Sequence, residues 1–140
     1  MRNGVARMPF EITNEGDHFL VRLYGTITAE DLTRLANEGA VIEDSVLPVM
    51  NRIVDLTGVE EFAIGFPEMF SFAFQRRSRP FSTHFKSALI ACEPVQVGYA
   101  RMFQTLNTNP MMEIRILDSV QDARDWFRRE SVGSDASATP

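Results

Sequence analysis

Residues 52–65, RIVDLTGVEEFAIG, constrain the fold more than any other stretch, because they lead from a buried strand to the start of a helix. Ile53, Val54 and Leu56 form a short apolar run of the kind found inside a parallel sheet, where both faces are covered and hydrophobic alternation is lost. Thr57 and Gly58 read as the turn that ends this strand, and Pro67 stands where a helix can begin.

Around this segment, strands and helices alternate. Residues 10–13 and 18–25 read as two strands of an amino-terminal hairpin about Asn14, Glu15, Gly16 and Asp17, which suit a tight turn. Thr28 followed by Glu30 and Asp31 marks a capped helix start, and Leu32, Leu35, Ala36 and Ala40 share one face of the helix. Residues 41–51 contain Pro48, lack a clean period and read as helix end and loop. In the second helix Phe66, Met69, Phe70, Ala73 and Phe74 form the expected core stripe, ended by Ser78, Arg79 and Pro80. Phe72 falls off that stripe and is expected to face elsewhere, either lining a pocket or joining a self-complementary dimer patch.

Residues 85–91 are a third apolar run suited to a central strand, and Pro94 opens a helix in which Val95, Tyr99, Met102, Phe103 and Leu106 align. Met112, Ile114 and Ile116 alternate with Glu113 and Arg115, as in a strand near a sheet edge. Ser119 and Asp122 cap a last helix that packs Val120, Ala123, Trp126 and Phe127. The resulting order, ββαβαβαβα, predicts an α/β sandwich with a mainly parallel five-stranded sheet and about four helices. A flexible start over residues 1–9, one domain over residues 10–130 and a disordered tail over residues 131–140 complete the organisation.

The chain has 140 residues, enough to bury roughly two thirds of its unfolded surface without a covalent staple. A single cysteine, Cys92, excludes an intramolecular disulfide and any zinc site built on paired cysteines, which suits a reducing, cytoplasmic setting. Neither a signal-peptide core nor a stretch of membrane-spanning length is present, so the chain is expected to be the mature protein without integral membrane association. A net charge of -5 disfavours nucleic acid as a partner.

Four motifs in this order carry a family resemblance: GTITAED at 25–31, VDLTG at 54–58, YARMF at 99–103 and ARDWF at 123–127. Together they resemble the STAS fold in its SpoIIAA-like branch, related to bacterial anti-sigma-factor antagonists and akin in fold to Sec14 lipid-transfer domains. The resemblance implies a non-enzymatic regulatory or binding domain, with a serine phosphorylated at the helix N-terminus that follows the Asp-Leu-Ser-Gly-like strand end. Asp55, Leu56, Thr57 and Gly58 match that strand end, but residues 62–65 read FAIG and supply no acceptor serine. Thr57 is the nearby hydroxyl, and a phosphate on it would meet Asp55, Glu60 and Glu61, a repulsive setting.

The residues themselves suggest further chemistry. Cys92, at the end of a central strand and before a helix, is the best-placed thiol nucleophile, although Glu93 adjoins it and an isolated cysteine commonly packs as a small core residue. Asp55 can serve as base or ligand, or simply cap its turn. His18 and His84 belong to no spaced metal-ligand set, and no cofactor is implied. Arg76, Arg77 and Arg79 either offset the dipole of the second helix or, with phenylalanines as an apolar wall, bind an anionic or lipid-like ligand. The chain therefore reads first as a binding domain, expected as a homodimer or with a protein partner. The alternatives are a carrier or sensor of a lipid-like or anionic small ligand and, last, a small enzyme using Cys92 or Asp55.

Overall fold

A computed structural model describes residues 8–46 and 48–137, apart from the side chains of Arg77 and of residues 130–137. Nine elements follow the expected order: β1 (Phe10–Asn14), β2 (His18–Thr28), α1 (Ala29–Ser45), β3 (Asn51–Ala63), α2 (Phe66–Arg77), β4 (Phe85–Ile90), α3 (Pro94–Leu106), β5 (Met112–Leu117) and α4 (Val120–Ser137). The five strands lie in sequence order in one sheet, with β1 antiparallel to β2 and every other pair parallel.

The pleat divides the core in two. Val21, Leu23, Leu56 and Leu89 point to one face, where Leu32 of α1, Met69 of α2 and Ala100 of α3 cover them. Leu20, Ile53, Ala88 and Ile90 point to the other, where Ala123 and Trp126 of α4 close it. The hairpin turn forms as its residues require: Gly16 has φ of 100°, and its N–H donates to Asn14 Oδ1 at 2.8 Å. Thr28 and Asp31 exchange side-chain-to-backbone hydrogen bonds at the start of α1, a reciprocal cap.

Four local expectations change. Thr57 and Gly58 do not turn the chain: β3 runs on to Ala63, and its pairing with β2 shifts register between Arg22 and Tyr24 and again between Gly25 and Thr26. Gly58 serves close approach instead, since a Cβ there would lie 2.9 Å from both the Leu23 carbonyl oxygen and the Tyr24 ring. Gly58→Ala is accordingly expected to cost about 1–3 kcal/mol by forcing strand β2 to yield; equilibrium urea unfolding checks this, and an unchanged midpoint would refute it.

Residues 41–51 form a helix end and a loop as expected, with α1 closing at Ser45 and β3 starting at Asn51. The second change concerns α2, whose inward face is Met69, Phe72, Ala73 and Arg76. Met69 and Ala73 of the expected stripe are buried, but its phenylalanines Phe66, Phe70 and Phe74 are 58%, 43% and 47% exposed. Phe72, expected to lie off the core stripe, packs against the core and meets Phe103 with ring centroids 5.5 Å apart. The reason is positional: Arg76 is buried, and turning it inward carries Phe72, one turn earlier, in with it. Phe72→Ala should then lower stability by about 2–4 kcal/mol while Phe70→Ala stays within about 1, with thermal melts of the two variants as the check.

The third change is in α3, which turns Gln96 and Ala100 inward and leaves Val95 exposed. The fourth is at the carboxyl end, where α4 continues to Ser137, past the boundary at 131, because an established helix extends cheaply; residues 138–140 and 1–7 lie outside the described residues.

Candidate functional site

On the α1–α3 side of the sheet lies a partly open cavity of about 120 Å³. Its wall is apolar over most of its surface, with Val21, Val54 and Leu89 from the strands, Leu35 from α1, Phe72 from α2 and Phe103 from α3. One end is different: Glu43, Arg52, Arg76 and Ser87 all reach it.

Each of these charged residues is placed by its element's own period. Glu43 continues the inward face of α1 marked by Leu32 and Ala36. Arg76 sits seven residues after Met69 and three after Ala73 on α2. Arg52 shares its strand face with Val54 and Leu56, between Phe19 of β2 and Ser87 of β4. Arg52 Nη1 lies 2.6 Å from Glu43 Oε2, and Arg76 Nη2 donates to the same oxygen. Arg79 Nε donates to Glu43 Oε1 at 3.2 Å, while its Nη2 donates to Asp44 Oδ1 at 2.8 Å. Asn109 steadies this loop by donating from Nδ2 to the Arg79 carbonyl at 3.0 Å.

Glu43 is only 4% exposed, so its charge is tolerated because of the three guanidinium groups. Burial opposes its ionisation, but Arg52 and Arg76 prevail and hold its pKa below the usual 4.5. Burial lowers Arg52 to about 10 against the pull of Glu43, so it stays protonated at neutral pH. Burial also works against Arg79, yet Asp44 and Glu43 carry its pKa above the ordinary range. The Arg52 guanidinium further lies over the Phe85 ring, 4.6 Å from its centroid.

Of the residues singled out in the sequence, Phe72 and Arg76 line the cavity and Arg79 braces its charged end. The Arg77 side chain lies outside the described residues. Asp55 and Thr57 are absent from the cavity wall: Asp55 Oδ1 accepts from the Thr57 N–H at 2.9 Å and from its hydroxyl at 2.7 Å, with Arg22 Nε 3.6 Å from Oδ2. Cys92 is exposed and donates its thiol hydrogen to the Asp118 carbonyl at 3.3 Å. His18, at the start of β2, pairs with Asp17 at 2.7 Å, while exposed His84 precedes β4, which β3 separates from β2. That bond to His18 is the main cause holding the Asp17 carboxyl below its usual range. Among the described residues, no group of three or more His, Cys, Asp or Glu side chains is placed to hold a metal ion.

Sequence reasoning passed over Glu43, Arg52 and Gln96. The signal was present for Glu43, a charge on the apolar face of a helix, and for Arg52, which shares strand parity with Val54 and Leu56. Gln96 is buried and fully used: Nε2 donates to the Val59 carbonyl at 3.0 Å, and Oε1 accepts from the N–H groups of Cys92 and Glu93, each at 3.1 Å. It locks the start of α3 to β3.

No protein-family model matches the chain, and no curated protein matches it. Among solved structures, an uncharacterised protein of the DUF3478 family from Shewanella loihica, described as having a SpoIIAA-like fold, superposes with a TM-score of 0.54 at 15% identity. That match covers 88% of this chain and 98% of the other. The Bacillus cell-fate determinant SpoIIAA, in its phosphorylated form, superposes with a TM-score of 0.50 at 13% identity, covering 84% of this chain and 98% of that one. With the strand order and helix placement described above, these similarities identify the chain as having a STAS-type, SpoIIAA-like fold.

Proposed function

We propose that this chain is a non-enzymatic binding domain on a SpoIIAA-like scaffold and that its ligand is a small, mostly apolar molecule held between α1–α3 and the sheet. The cavity carries this reading: about 120 Å³ of space walled by aliphatic and aromatic side chains, with polar groups gathered at one end, is the usual make-up of a small-molecule site. A regulatory switch through phosphorylation is not part of the proposal, since residues 62–65 offer no hydroxyl. A catalytic role has less support: Asp55 is engaged by Thr57 and Arg22, Cys92 by Asp118, and neither lines the cavity.

Native mass spectrometry of gently purified protein, repeated after denaturation, tests the reading. The expected result is a small molecule that dissociates on denaturation, or, for ligand-free protein, saturable uptake of toluene. Ala100→Leu, which fills the cavity from α3, should abolish both. Retention undiminished in a folded Ala100→Leu protein would place the ligand elsewhere.

One further observation favours self-association as a second reading. Phe66, Phe70 and Phe74 form an exposed aromatic row along α2, with successive ring centroids 6.2 and 6.3 Å apart. Two such rows can pack about a two-fold axis, with aromatic contacts of the kind enriched in homodimers. Sedimentation at micromolar concentration should then show a dimer that Phe70→Ser converts to monomer; a monomeric parent protein would end this reading.

A further inference from the structure

The charged end of the cavity specifies more than an apolar ligand. Its most buried charges are Arg52, Arg76 and Glu43, two cations against one anion. Arg79 and the exposed Asp44 pair at the outer side and leave that excess uncorrected. Buried charge is stable only when paired and hydrogen-bonded, and the bonding here is incomplete, because Arg52 Nε is buried without a hydrogen-bond partner among the described residues. Arg52 and Arg76 both reach the cavity. A single negative charge placed there would balance the cluster, and a planar carboxylate matches a guanidinium fork better than any other common anion.

Size narrows the class further. An apolar protein cavity of roughly 150 Å³ takes up benzene. This one, at about 120 Å³, has room for a ring or a short branched chain, and a long acyl chain would have to extend beyond it.

Building on the cavity reading, we infer that the ligand is a small apolar monocarboxylate, its tail among the side chains of α1–α3 and its carboxylate on Arg52 and Arg76. The arginines thus act as selectors of an acid over its neutral isosteres. The exposed phenylalanines Phe66, Phe70 and Phe74 have no part in this selection.

Isothermal titration of the full 140-residue chain with benzoate, benzamide, phenylphosphonate, decanoate and toluene tests the assignment. Benzoate should bind at least about tenfold more tightly than benzamide, which has the same shape without the charge. Phenylphosphonate and decanoate should both bind more weakly than benzoate, the first for excess charge and the second for length. Arg52→Met should erase the preference for benzoate while leaving benzamide and toluene binding intact, which also reports that the cavity is still formed. Should that variant fail to fold, Arg52→Lys keeps the charge, removes the fork and should reduce the preference severalfold.

Equal binding of benzoate and benzamide would overturn the carboxylate assignment and leave the apolar cavity standing. Tighter binding of phenylphosphonate or decanoate would overturn the assigned headgroup or size. Failure of all five to bind would remove the cavity reading as well.

Discussion

Glu43→Gln should destabilise the protein by about 3–5 kcal/mol, among the largest losses available to one side chain, because it leaves Arg52 and Arg76 buried against each other without an anion. Urea unfolding of the two proteins measures it, and a loss below about 1 kcal/mol would show that the two guanidinium groups are solvated without the carboxylate. Replacing the whole set, with Glu43→Leu, Arg52→Met and Arg76→Met together, should recover most of that loss, since a packed apolar substitute avoids the desolvation of three charges. Such a triple variant would be stable and unable to prefer acids, separating the ligand role of the cluster from its structural cost.

The same carboxylate governs the response to acid. Its folded pKa is depressed below 4.5, so its contribution to stability is complete above that pH and is lost as pH falls through the folded value. The parent protein should therefore lose stability on acidification below about pH 4.5, and Glu43→Gln should show a flatter profile over that window. Identical profiles would mean that other carboxylates control the acid limb.

Trp126→Ala should cost about 3–5 kcal/mol by a different route, that of an emptied core position. Trp126 is 1% exposed, packs with Ala123 and Ile53 beneath the sheet, and has Arg115 over its ring at 4.7 Å. It lies on the face away from the cavity, so any ligand affinity of the folded variant should be unchanged. Unfolding curves and ligand titration on one preparation test both halves of that expectation. A variant that kept its stability but lost its ligand would show that the two faces of the sheet are coupled.

The exposed phenylalanine row shows how much of this molecule could be read before its structure was known. Strand and helix identities followed from local patterns: the alternation of Met112, Ile114 and Ile116, the cap at Thr28, the proline opening α3. Those patterns depend on neighbours within about one turn or one pleat, and the structure keeps them. In α2, two stripes that share Met69 and Ala73 compete, the expected one with Phe66, Phe70 and Phe74 and another with Phe72 and Arg76. Hydrophobicity alone prefers the first because its residues are larger. The structure buries the second, since Arg76 finds Glu43, thirty-three residues earlier, only when the helix is turned that way.

Element order, sheet composition and the two-sided core were thus determined by the sequence through short-range periodicity, because apolar residues spaced at 2.0 or 3.6 can be buried in few ways. The tertiary structure alone decided which face of α2 is buried, that β3 continues past Gly58 against Tyr24, and that Glu43, Arg52 and Arg76 meet at one end of a cavity. Those outcomes depend on Coulomb attraction and close contact between residues distant in the chain, and no local pattern encodes which distant charge a buried arginine will meet.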